Sequence, residues 1–462
     1  MLFGTAQFRS AYRRRELSPI EAIKAQLAYA EEVADTVNAI SQISPTALDE
    51  ARESEQRWAA GCPKGPLDGV PVVVKDSYHI AGMKRWHGSA IHDGDAPSAG
   101  TSEPIARLRE AGAIVVAKTT MPDMGMLGSG ISSQFGIVRN PWDTAVSPGG
   151  SSAGVGASLA CGLGAFGLGT DIAGSVRLPA AHCGLAAIKP TQGRIAYSPA
   201  STMRSSGVMG RSVTDVVEGL LAVGKQAPTD PMCLPDAFHA TAFEEVLQRL
   251  PRVGLLLDVG YGTPTAPAVA AAAQAAAARL EAAGFAVEPV TLELGEADFA
   301  NADLVFKAHA GAEVRASRHP EAVLDLVRTW LEGADAIPMA DYEDAMCGLL
   351  ATVAKIEQAT GAFDFLVSPV IPTLPFAADT PGPGDEAMLL HHTHYTAWFN
   401  QTGQPAAVYR EANDAATNLP IGVQVAARRF DDAGALAVAG YLEATRPTVS
   451  PFPTFKKVPV YE

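Results

Sequence analysis

A lysine and two serines carry the chemistry open to this chain. Ser151 and Ser175 sit at either end of residues 149–175, GGSSAGVGASLACGLGAFGLGTDIAGS, each in a Gly-rich turn. Lys75 lies upstream, at the end of GPLDGVPVVVKD. A serine hydroxyl is a poor nucleophile at neutral pH and needs a base within hydrogen-bond reach. Lysine can serve when burial lowers its pKa enough to leave part of it neutral. Val72, Val73 and Val74, just before Lys75, would disfavour the ammonium form. An arbitrary lysine at a strand end is simply exposed, so the reading leans on the serines that accompany this one. Together these residue types allow a serine to be activated without histidine. That points to acyl transfer at an amide rather than to a binding module.

Other motifs compete for the same stretch. Gly150-Ser151-Ser152-Ala153-Gly154 fits the GxSxG nucleophile elbow, which would make Ser152 the nucleophile of an α/β-hydrolase. That reading needs a later carboxylate and histidine, for which His309, His319 or the HHTH run at 391–394 could be offered. Residues 162–167, GLGAFG, fit GxGxxG, but their glycines precede a strand instead of opening a helix, which argues against a dinucleotide site. No GxxxxGK[ST] phosphate loop is present. The HHTH run has metal-ligand residue types, yet a solvated loop is the expectation there.

The elements that must position these residues follow from local pattern. Ser18-Pro19 and Ser44-Pro45 each read as a helix start, a serine cap followed by proline at the first helical position. Glu21, three residues after Ser18, completes a capping box. The first sixty residues therefore read as helical. A Gly/Pro-rich turn at 61–69 leads into a strand at 70–75, and a helix at 102–112 leads into a strand at 113–117. Residues 146–191 are rich in glycine and alanine with almost no charge, so they should be deeply buried. Within them, 152–162 carries small residues that let a helix pack very close to a sheet.

Further on, 253–258, 268–283 and 286–292 make a strand–helix–strand unit that lacks a phosphate-binding turn, so it is architecture. Residues 295–360 read as mainly helical and 365–370 as an apolar strand. Residues 419–427 make another strand, followed by a helix from Asp431. No repeat or low-complexity linker divides the chain. Strands alternating with helices predict an α/β fold, a single large domain over 1–462 with a central mixed β-sheet flanked by helices. Its expected parts are a helical segment (1–60), a catalytic core (61–222), a more variable α/β insertion (223–350) and a part completing the sheet (351–462).

Bulk composition excludes several classes. The chain has 462 residues, 47% hydrophobic and 18% charged, as expected of a globular protein. A net charge of -15 offers no basic face to a nucleic acid. No apolar run approaches the roughly 18 residues of a membrane span. The opening MLFGTAQFRSAYRRREL puts its arginines after the apolar residues and lacks a signal-peptide core. Five cysteines (Cys62, Cys161, Cys183, Cys233 and Cys347) are widely spaced without a CxxC. They read as reduced, mostly buried thiols of a cytoplasmic protein, with Cys161 and Cys183 in core packing.

Taken jointly, GPLDGVPVVVKD, GGSSAG and GTDIAGSVRLPAAHCGLAAIKPTQGRI resemble the amidase signature family. The resemblance runs on through AGAIVVAKTTMPDMGM, RNPWD, FNQTGQPA and NLPIGVQVAA, so it covers most of residues 15–445. It implies the amidase signature fold and a Ser–cis-Ser–Lys triad. Ser175 matches the nucleophile, Ser151 the bridging serine after a cis peptide bond, and Lys75 the general base. The bridging hydroxyl would accept a proton from Ser175 while donating to Lys75.

The resemblance also implies an oxyanion hole of backbone N–H groups at Ile172, Ala173, Gly174 and Ser175. Asp171 and Arg177 would fix the nucleophile turn from behind. Trp86, Met124, Tyr395, Trp398 and Phe399 are apolar candidates for the substrate pocket, each also open to ordinary core packing. Two departures stand out. Ala153 and Ala173 occupy positions where the family most often has glycine. Ala173 supplies the same N–H and adds a methyl, so it should not need positive φ and should narrow the acyl site slightly.

The implied activity is hydrolysis of a small organic amide through an acyl-Ser175 intermediate, with no metal or organic cofactor. The expected partner is the small-molecule amide, with a homodimer as a fold-level analogy. Two alternatives remain: the glutaminase A subunit of a tRNA-dependent amidotransferase, and a catalytically inactive binding protein of the same fold. Against the first, no charged grip for a glutamine α-amino acid group is assignable. Against the second, Lys75, Ser151 and Ser175 are all retained.

Overall fold

The Val-rich segment before Lys75 forms a strand with all five residues buried, as suits the interior of a largely parallel region. It belongs to a computed structural model that describes residues 2–384, 388–453 and 455. The strands in chain order are β1 (Ile40–Ile43), β2 (Pro71–Lys75), β3 (Ile114–Thr119), β4 (Ile131–Ser132), β5 (Gly136–Ile137) and β6 (Phe166–Asp171). There follow β7 (Ala186–Lys189), β8 (Ser205–Gly210), β9 (Arg252–Asp258), β10 (Ala286–Thr291), β11 (Phe365–Pro369), β12 (Ala406–Asn413) and β13 (Pro420–Ala427). Strands β4 and β5 pair only with each other; the rest form one 11-stranded sheet in the order β1-β3-β2-β6-β8-β7-β12-β13-β11-β9-β10.

The sheet is mixed. Strands β3, β2 and β6 run parallel, as do β11, β9 and β10, while the strands between them pair antiparallel. The α/β fold with one mixed sheet flanked by helices is thus the observed architecture. The two-residue alternation of a strand divides β2 between the faces: Val72 and Val74 join one core cluster, Val73 the other. The strand–helix–strand unit β9, Pro267–Ala282 and β10 forms one end of this same sheet.

The small-residue helix, Ala153–Cys161, is buried at every position. A Cβ added at Gly154 would stand 2.5 Å from the carbonyl oxygens of Ala39 and Thr120, so only glycine permits this approach. The expected cap and capping box at Ser18 and Glu21 are present. The second start is displaced. The helix begins at Ala47 after Thr46, and the Ser44 N–H instead donates to Val116 O, extending the pairing of β1 with β3. The helical reading of the first sixty residues also missed β1 itself, whose four residues are too few to show a strand period.

All five cysteines are free, but only Cys161 and Cys183 are buried; Cys62 and Cys347 are exposed. The "mostly buried" expectation fails because the latter two lie outside the small-residue block. No described helix is long and apolar enough to cross a membrane.

Candidate active site

Parallel neighbours β2 and β6 end side by side, Val74 in register with Leu168. Their carboxyl ends are where an open α/β sheet leaves a crevice. Lys75, the last residue of β2, is 1% exposed, and its Nζ donates to Ser151 Oγ at 2.8 Å and to Thr170 Oγ1 at 3.0 Å. Burial drives its pKa down to about 7; Asp171 opposes the shift and Arg204 adds to it. Lys118 and Lys189 are equally buried, but Lys118 pairs with Asp76 at 2.8 Å and Lys189 donates to Pro190 O. Of these three lysines, only Lys75 reaches a serine hydroxyl.

Ser151 follows a cis peptide bond to Gly150 and precedes the helix Ala153–Cys161, for which Ser152 is the cap residue. Ser175 lies in the turn after β6. It lines the same cavity as Lys75 and Ser151, and its Oγ has no hydrogen-bond partner among the described residues. The two turns are tied together through the backbone, Ser152 N–H to Ser175 O at 2.9 Å. Ser152 is fully buried, its Oγ donates to Thr170 O at 3.4 Å, and it is not among the residues lining the cavity. His309, His319 and residues 391–394 do not line this cavity, so the elbow reading has no geometry behind it.

Asp171 organises the turn that carries Ser175. Its carboxylate accepts from Gly174 N at 2.7 Å, Val176 N at 3.1 Å and two nitrogens of Arg177 at 3.0 and 3.1 Å. Burial alone would raise its pKa, but the Arg177 charge and these bonds outweigh it and bring it to about 2. Arg177, fully buried, also donates to Asn400 Oδ1 at 2.7 Å and Gln424 Oε1 at 3.3 Å. Residues 171 and 177 therefore hold the turn from behind.

One member of the expected oxyanion set is corrected here. The Gly174 N–H is already given to Asp171, which leaves Ile172, Ala173 and Ser175 as the N–H groups without an acceptor among the described residues. Gly174 has another purpose. Its φ is +125°, and a Cβ there would lie 2.4 Å from Thr396 Oγ1. Ala173 has no such positive φ.

The cavity is narrow, about 20 Å³, scarcely more than a water molecule needs. Of the apolar pocket candidates only Met124 lines it. Tyr395 and Trp398 pack instead in a core cluster, with the Tyr395 hydroxyl donating to Leu257 O at 2.6 Å. Phe399 packs with Phe363, Leu366, Ala406 and Ala426, and Trp86 meets Phe135 edge-on. Aromatic side chains near a motif fill core space unless a backbone turn aims them elsewhere, and here it does not.

Thr170, His87, Tyr197 and Arg204 line the cavity and were not singled out from the sequence. Thr170 stands inside the GTDIAGS run and was legible from its closeness to Ser175; the others come from distant loops. His87 is neutral: burial and then Arg85 push it down to about 3, against the pull of Glu313, to which its Nδ1 is hydrogen-bonded. His92 Nε2 approaches the same Glu313 oxygen at 3.3 Å. Donor atoms of His87, His92 and Glu313 lie within 4.8 Å of one another, the grouping among the described residues that could hold a metal ion. The HHTH run is not a solvated loop. His392 and His394 are buried, and His391 meets the Glu296 carboxylate at 3.0 Å.

Comparison with known proteins bears on this arrangement. A model of the Amidase family matches residues 21–436. The A subunit of the glutamyl-tRNA(Gln) amidotransferase from Maridesulfovibrio salexigens is 31% identical, over 94% of this chain and 95% of that protein. The indoleacetamide hydrolase of Bradyrhizobium diazoefficiens is 30% identical, over 94% of this chain and 84% of that protein. The structure of 6-aminohexanoate cyclic dimer hydrolase complexed with substrate superposes with a TM-score of 0.83 at 26% identity, covering 98% of each chain.

Proposed function

Because this chain belongs to the amidase signature family, enzymes of amide C–N bonds, we propose that it hydrolyses a small organic carboxamide to carboxylate and ammonia or amine through an acyl-Ser175 intermediate. The observation that carries the reading is the 2.8 Å bond from a buried Lys75 to Ser151, in the cavity that Ser175 also lines. Ser175 Oγ attacks the amide carbonyl carbon. Its proton passes to the Ser151 hydroxyl, whose own proton passes to Lys75 Nζ. The Ser151–Ser175 contact closes as substrate fills the cavity, as catalytic contacts commonly do.

The developing oxyanion is placed against the free N–H groups of Ile172, Ala173 and Ser175. Collapse breaks the C–N bond, and the relay returns the proton to the departing nitrogen. Water then attacks the acyl-enzyme with Lys75 again as base. A lysine held near pKa 7 suits both halves, since it can accept a proton and give it back at neutral pH.

A panel of aliphatic, aryl and amino-acid amides, read by release of ammonia or amine, tests the proposal. Turnover that disappears with Ser175→Ala is expected. No turnover of any amide by the unaltered protein would overturn it.

A second reading has a specific support: the similarity to an amidotransferase A subunit over nearly the full length. There the amide would be glutamine and the ammonia would go to a partner protein. Glutaminase activity that appears only with the other components of a tRNA-dependent amidotransferase would favour it over the free-standing amidase. The five free cysteines are consistent with a cytoplasmic setting.

A further inference from the structure

Among the charged residues lining the cavity, one has neither a counter-ion nor a hydrogen-bond partner for its charged group among the described residues. Asp171 is matched by Arg177, and Lys75 is directed at Ser151 and Thr170. Arg204 lines the same cavity, and its guanidinium has no hydrogen-bond or ion-pair partner among the described residues. In a chain of net charge -15, an arginine left unneutralised beside a nucleophile is a local exception.

The backbone that carries Arg204 is held firmly. Gln192 donates to Arg204 O at 2.9 Å and accepts from Ser205 Oγ at 2.7 Å. Arg204 N–H donates to Ser201 Oγ at 3.0 Å. Asn400 Nδ2 donates to both Asp171 O, at 2.9 Å, and Met203 O, at 3.2 Å. One buried amide thereby fastens the residue before Arg204 to the turn that carries Ser175. The guanidinium is unpartnered while its attachment point is fixed, so only the side chain remains to be ordered on binding.

We propose that Arg204 anchors a carboxylate of the substrate, so that the amide taken by this cavity carries an anionic group beyond the bond that is cut. A planar guanidinium accommodates a carboxylate through two parallel N–H···O bonds. Tyr197, from the same loop, also lines the cavity. The proposal also supplies the neutralising charge that the site otherwise lacks. Its depression of the Lys75 pKa shows that the Arg204 charge is felt at the base. A bound carboxylate would relieve that effect and raise the basicity of Lys75 when substrate is present. This inference rests on the amidase reading above.

Protection of Ser175 from a fluorophosphonate probe tests it, with succinamate and the neutral butyramide as competitors. Succinamate is expected to half-protect at a concentration at least about tenfold below that of butyramide, the scale of a hydrogen bond to a charged group. Arg204→Gln should erase the difference by weakening succinamate alone, and Arg204→Lys should recover part of it. Equal protection by the two compounds in the unaltered protein would overturn the proposal, as would an Arg204→Gln variant that weakens both alike. Failure of the probe to label Ser175 at all would instead overturn the amidase reading itself.

Discussion

Lys75 Nζ stands 2.8 Å from Ser151 Oγ, at the end of a strand with no exposed residue. Burial weakens the ammonium, and the hydroxyl gives the neutral amine something to act upon. Replacing Lys75 by methionine keeps the volume and removes the base. We expect kcat to fall by at least about 100-fold, the low end for loss of general-base catalysis. The melting temperature should be unchanged or higher, since a buried amine that prefers water is gone. Near-normal turnover by a folded Lys75→Met protein would refute the assignment.

The same pKa sets a pH profile. With Lys75 near 7, the protonated form cannot accept the Ser175 proton and dominates at lower pH. Activity should therefore fall about tenfold per pH unit below that point and level off above it. A rate that stays flat from pH 5 to 8 in steady-state assays would contradict the base.

Labelling distinguishes the adjacent serines. A fluorophosphonate should modify Ser175, so Ser175→Ala abolishes labelling while Ser152→Ala preserves it. Mass spectrometry of the labelled peptide reads the outcome directly. Modification at Ser152 would restore the elbow reading, against its complete burial.

Gly174→Ala should lose most activity. The residue has φ +125°, where an L side chain is strained, and its new Cβ would meet Thr396 Oγ1 at 2.4 Å. The turn must move, carrying the neighbouring N–H groups with it. A loss of about 100-fold in kcat, with the secondary structure intact by circular dichroism, is the expected result. Activity within a factor of two would mean the turn tolerates the shift.

Asp171 and Arg177 make a stability prediction. Removing one member of a buried pair typically costs about 3–5 kcal/mol, so Arg177→Met should lower the melting temperature markedly. The pH dependence has a definite sign. Asp171 titrates near 2 when folded and at the higher, ordinary value of 3.8 when unfolded. Its stabilising contribution is thus present above about pH 4 and lost as the pH falls toward 2. Acid unfolding of the Arg177→Met variant should show a weaker pH dependence across that window; an unchanged slope would sink the account.

Much of the arrangement was legible in the chain because it is local. The cap at Ser18, the small residues of the helix Ala153–Cys161 and the valines of β2 each record a nearest-neighbour requirement: a backbone donor, a close approach, a buried strand. Lys75, Ser151 and Ser175 stand in runs whose joint resemblance to the amidase signature family singled them out. The displaced helix start after Ser44 marks the limit of such reasoning, since a serine followed by proline is also a way to end a strand pairing.

Three-dimensional packing decided the rest. Nothing in the sequence order says that the Gly174 N–H belongs to Asp171, or that Asn400 and Gln424, more than two hundred residues on, satisfy the Arg177 guanidinium. His87 reaches the cavity from one loop and Tyr197 and Arg204 from another, while Tyr395, Trp398 and Phe399 pack in core clusters and do not line it. The sequence by itself determined which groups are able to do chemistry and which segments must be strands and helices, because both depend on residue type and short spacing. Only the tertiary structure decided which buried lysine faces a hydroxyl, which N–H groups stay free and which arginine lacks a counter-ion. Those depend on the direction of side chains brought together from distant parts of the chain, and composition and periodicity do not encode direction.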